Sequence, residues 1–139
     1  MTQAEAFFKN ELVKELRNVA RLFKHEKDIQ KKSYYFSAAY GITSRTFRYS
    51  FSRQVLLSDL VLNVSYHGLK DRLERMEKGD TTVKIDEKVL EALYEGLITL
   101  ADAFESDNPV QDALGLILAA SYSIGGPGNY LREKGLLTL

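Results

Sequence analysis

Apolar residues recur through this chain at steps of three and four, and that spacing permits one class of element. Phe8, Leu12, Leu16, Val19 and Phe23 advance by four, four, three and four. Leu90, Leu93, Leu97, Ala101 and Phe104 keep the same period, as do Val110, Ala113, Leu114, Ile117 and Ser121. Strict apolar–polar alternation, the mark of a half-buried strand, is nowhere sustained. End signals sit where these stripes begin and stop. Thr2 with Glu5 forms a capping box, and Gly79-Asp80 is a stop. Asp86 is a cap with Ile85 and Leu90 as a staple, and Asn108-Pro109 starts the next element. The expectation is an all-α, single-domain bundle over 1–139, with four to five principal helices. A short helix at 129–134 follows Gly125-Gly126-Pro127-Gly128, which reads as a helix stop and turn.

Between Ile29 and Ser58 there is no Asp or Glu, while Lys31, Lys32, Arg45, Arg48 and Arg53 supply five cations. The same thirty residues hold seven of the fifteen aromatic residues. Rings interleaved with cations suit a single-stranded RNA or DNA, the cations neutralising phosphate while the rings stack on bases. The competing expectation is that the rings are core and the cations a solvated rim. A continuous helix through the window to Lys78 would be unusually long. Gly41 is therefore the expected break, with Ser33 capping one piece and Thr43 or Ser44 the next.

Val55 to Val64 is apolar nearly all round. A helix of that kind is either central or an interface between copies. Leu56, Leu57, Leu60 and Val64 are accordingly the expected oligomer contacts. Beyond them, Asp71 with Arg75 and Glu74 with Lys78 stand at i,i+4, ready to pair on the solvent side.

The formal net charge of zero hides an asymmetry. Residues 1–78 carry a net +6 and residues 79–139 a net −6, which favours association between unlike halves. A chain of 139 residues buries roughly two thirds of its unfolded surface, enough for a real core. Cysteine is absent, removing disulfides, thiol nucleophiles and thiolate metal sites. No apolar run approaches the roughly 18 residues of a membrane helix. The first residues lack the pattern of a signal peptide, so no membrane partner and a cytoplasmic location are expected.

Little in the chain specifies chemistry. The two histidines, His25 and His67, form no ligand pattern with the scattered carboxylates, so no metal or cofactor is expected. Asp59, Asn63 and His67 follow at i, i+4 and i+8, a polar seam in which a perturbed carboxylate would sit near an imidazole. One acid and one imidazole without a nucleophile define no reaction. The Arg-x4-6-His signature of helical HEPN nucleases is missing, because Arg21-x3-His25 has the wrong spacing. The reading is a non-enzymatic helical protein acting through self-association or as a subunit, with no catalytic residues. The alternative is a single-stranded RNA- or DNA-binding module built on 29–58.

Overall fold

A computed structural model describes residues 3–50, 52–82, 85 and 87–123, with backbone alone at 122 and 123. Five helices account for 86% of the described residues, with no strand among them. They are α1 (Gln3–His25), α2 (Ile29–Tyr49), α3 (Arg53–Glu77), α4 (Glu87–Glu105) and α5 (Gln111–Ser123). The Thr2 and Asp86 caps, the Gly125–Gly128 turn and the helix expected at 129–134 lie outside the described residues.

Each helix packs on two others, and the pairings close a ring in the order α1, α2, α3, α5, α4 and back to α1. The stripes read from the sequence meet inside that ring. Leu12, Leu16 and Phe23 of α1, Phe36 of α2, Leu62 and Leu69 of α3, Leu93 and Leu97 of α4 and Ile117 of α5 are fully buried. Each such side chain contributes roughly 1.5–3 kcal/mol by leaving water. Phe23 and Phe36 join α1 to α2 with tilted rings 6.1 Å apart.

Local chemistry sets the helix ends. Asp28, not Ser33, caps α2, its carboxylate accepting from the Gln30 backbone N–H at 2.9 Å. Ser33 is buried within α2, which runs unbroken through Gly41. Thr43 caps nothing; its hydroxyl lies 2.9 Å from the Tyr40 carbonyl and 3.1 Å from the Asp59 carboxylate, and its one proton is shared between these two acceptors. Instead α2 ends at Tyr49 with Ser50 as its C-cap, and the Ser52 hydroxyl accepts from the Gln54 backbone N–H and starts α3.

Gly79, at φ 86°, ends α3 as expected. Its N–H donates to Met76 and that of Asp80 to Arg75, the paired bonds of a Schellman turn. Asp107, at φ 55°, takes the same left-handed place after α4, with Asn108 N–H donating to Ala103 at 2.9 Å. Its carboxylate accepts from Lys9 Nζ at 2.7 Å, a tie to α1 that glycine could not make. Asn108 therefore belongs to the end of α4, and α5 starts at Gln111 rather than at Pro109.

Candidate interaction surface

The window from 29 to 58 divides between core and surface. Phe36 is fully buried, and Tyr35, Tyr40 and Phe47 pack against the core. Tyr34 is 71% exposed. Tyr49 is exposed too, but one face of its ring is covered by Phe8, stacked 4.8 Å away and nearly parallel. Phe51 lies outside the described residues.

The cations divide in the same way. Lys32 is only 9% exposed, which removes it from any surface role. Its Nζ donates to the carbonyls of Phe23 at 2.5 Å and Lys24 at 3.4 Å, capping the last turn of α1, and lies 4.7 Å above the Phe23 ring. Burial holds this ammonium below the ordinary lysine range, against the pull of Glu87 and Glu26. The sequence did carry the signal: Lys32 precedes Phe36 by one turn, on the face that continues through Ala39, Thr43 and Thr46. Arg45 is exposed but paired with Glu15 of α1. Lys31, Arg48 and Arg53 are exposed, with no ion-pair partner among the described residues.

Association of the basic and acidic halves occurs within one copy, chiefly between α1 and α4. Arg17 forks to Asp102 at 2.8 Å and Glu105 at 2.5 Å. The hydrogen bonds that Arg17 donates to Glu105 and Asp102 hold its guanidinium above its already high range, and the one to Glu105 holds that carboxyl below its own. The pair expected between Asp71 and Arg75 is replaced: Arg75 reaches on to Asp80 beyond the helix end, at 3.0 Å. No partner of Asp71 is found among the described residues, nor does Glu74 pair with Lys78 there.

On α3 the distribution of side chains is partly inverted. The inward face carries Val55, Leu62, Leu69 and Leu73, but also Ser58, Ser65 and Gly68, all buried. Ser58 donates to the Gln54 carbonyl at 2.8 Å, and Ser65 Oγ has no partner among the described residues. Outward, Leu56 and Val64 are 37% exposed and Leu60 is 52% exposed, while Leu57 packs half-buried against the core. Three large aliphatic side chains at i, i+4 and i+8 therefore face water while small polar ones face the core. On the adjacent α5, Leu116 is exposed as well.

Asp59 lies at the edge of this face, and its carboxylate accepts from Thr43 Oγ1 at 3.1 Å. Partial burial raises this carboxyl above its ordinary range, and the Thr43 hydrogen bond works in the opposite direction. The perturbed acid of the polar seam is thus present, but its contact is with α2 and not with an imidazole. His67 is exposed beside Tyr66, with ring centres 5.4 Å apart, and His25 is exposed at the end of α1. No group of three or more metal-ligating side chains occurs among the described residues. A cleft of about 410 Å³ opens at the end of the bundle where α1 and α3 begin. Leu12, Val55 and Phe104 form its floor, and Lys9 and Asp107 on its rim neutralise each other. Comparison with protein-family models, with curated proteins and with solved structures finds no match to this chain.

Proposed function

We propose that this chain is a non-enzymatic helical protein that acts by self-association, its contact being the outward face of α3. The observation that carries this reading is the exposure of Leu60, 52%, between Leu56 and Val64, on a helix whose buried face spends two positions on serine. Selection for stability of one copy alone favours the opposite arrangement, since a buried leucine in place of serine gains apolar burial and an exposed one gains nothing. The occupant is a second copy of the chain, because the row of leucines and valine is complementary to itself. No helix among the described residues is long and apolar enough to cross a membrane, so the exposed row is not part of a helical span.

The nucleic-acid reading draws less support. Of the described rings in the window only Tyr34 offers a largely free face, Lys32 is buried and Arg45 is paired. Stacking on successive bases needs several free rings along one path.

Light scattering at tens of micromolar in moderate salt tests the proposal. A mass of two chains or more is the expected result, and a mass of 15.8 kDa throughout overturns it. Leu60→Asp reduces the assembly to one chain while leaving the melting temperature of that chain nearly unchanged, since Leu60 is exposed in a single copy. Retention of a single-stranded oligonucleotide at low salt, lost on charge reversal at Arg45 and Arg48, would instead favour the nucleic-acid module.

A further inference from the structure

The apolar row of α3 is the middle of a longer seam. At 3.6 residues per turn, Arg53, Leu56, Leu60, Val64, His67 and Asp71 fall within an arc of about 80°, and all six are exposed. The seam is ordered by charge. Arg53 stands at its start and Asp71 near its end, about 27 Å apart along the axis at 1.5 Å per residue. Neither has an ion-pair partner among the described residues, since Arg75 is engaged by Asp80.

Resting on the self-association reading, we propose that two copies pair α3 against α3 in antiparallel fashion, with Arg53 of each copy opposite Asp71 of the other. A two-fold axis crossing the seam midway between Leu60 and Val64 sets Leu60 of one copy against Val64 of the other. Position 62 is the midpoint of both pairs, Leu60 with Val64 and Arg53 with Asp71. One axis therefore satisfies the apolar centre and both charged ends. A parallel pairing would set Arg53 against Arg53 and Asp71 against Asp71, two like-charge contacts in place of two attractive ones. The axis also fixes what flanks the seam. α2 lies on one side of α3 and α5 on the other, and the operation sets each beside its own copy.

The magnitude of the association follows from its size. One helix face buries less than the roughly 800 Å² per partner of a standard interface. The flanking α2 helices bring like charge together, because no acidic residue occurs between Ile29 and Tyr49. The dimer is therefore of micromolar affinity and exchanges readily.

Sedimentation equilibrium from a few to a few hundred micromolar, on wild type, Arg53→Asp, Asp71→Arg and the double variant, tests the seam. Each single reversal turns two attractive pairs into two repulsive ones, and about a tenfold weaker dimer is expected from exposed pairs. The double variant restores the two pairs with their signs exchanged and returns the dissociation constant to within about threefold of wild type. An intramolecular explanation of that rescue is excluded by the separation of the two positions along one helix. Both side chains are exposed and without an ion-pair partner among the described residues, so circular dichroism and melting temperature are expected to match across the set.

Because the chain has no cysteine, cross-linking gives a second readout. A mixture of Leu60→Cys and Val64→Cys forms the mixed disulfide faster than either variant forms its own. A dimer that ignores the single reversals, or a Leu60→Cys that cross-links to itself as fast as the mixture, overturns the antiparallel seam and leaves self-association standing. A wild type that stays monomeric at every concentration overturns both.

Discussion

Gly96 of α4 lies against Ile117 of α5 so closely that a Cβ on Gly96 would stand 2.4 Å from Ile117 Cγ1 and 3.1 Å from Cδ1. Both residues are buried, so α5 is held to the bundle by backbone approach as much as by side-chain volume. The Cγ1 atom belongs to a β-branched side chain with few rotamers in a helix, so it cannot swing away freely.

Gly96→Ala is therefore expected to destabilise. Overpacking costs about 1–3 kcal/mol, against about 1 kcal/mol gained from replacing glycine inside a helix. The context decides the sign. In an Ile117→Ala background, where the obstructing atoms are gone, the same substitution should become neutral or stabilising. A double-mutant cycle by chemical denaturation measures this; equal effects of Gly96→Ala in both backgrounds would show that the close approach carries no energy.

Gly41 is the opposite case. It sits exposed in the middle of α2, with nothing within 4 Å of where a Cβ would stand. Gly41→Ala should stabilise by about 0.5–1 kcal/mol, through helix propensity and a less flexible unfolded chain. Thermal denaturation should show a rise of a few degrees. A fall would mean that the helix needs glycine there for a contact beyond the described residues.

The same glycine shows where the sequence was legible and where it was not. Apolar spacing located the helices and most of their buried faces, because a stripe must be buried to be worth having and only one period fits it. Gly41 with Thr43 and Ser44 looks like a break, yet hydroxyls that can cap a helix can equally bond back to its own carbonyls. Packing of Ala39, Ile42 and Thr43 against the core decides for the second option and overrides the local preference. The stretch Ser106-Asp107-Asn108-Pro109 reads as the end of one helix and the start of the next. That Asp107 takes the left-handed place is not legible, because the tie of its carboxylate to Lys9 comes from a helix almost a hundred residues away. By its charge Lys32 reads as a surface cation, but its position one turn before Phe36 places it on the buried face of α2. Its ammonium is satisfied by carbonyls that no motif encodes. Leu60 shows the converse: the apolar run was plain, but which of its faces lacks a neighbour depends on how the ring of helices closes.

Asp59 gives the last prediction, and its sign follows from linkage. Burial raises its carboxyl pKa in the folded state above the unfolded value, so the folded protein binds more protons in the window between the two. Stability contributed by this group is therefore greatest below the unfolded value and declines as pH rises through the folded one. Above that window the ionised carboxylate carries its desolvation cost in the folded state, offset in part by the hydrogen bond from Thr43. Asp59→Asn removes the charge, and its side-chain oxygen can still accept from the Thr43 hydroxyl. The variant should melt above wild type at pH 7, and the difference should shrink on acidification and close by about pH 3, where aspartate is mostly protonated in either state. Thr43→Val sharpens the reading, because removing the donor from wild type destabilises more at pH 7 than at pH 3. A difference between Asp59→Asn and wild type that is constant from pH 3 to pH 7 would show that Asp59 titrates alike in the folded and unfolded chains.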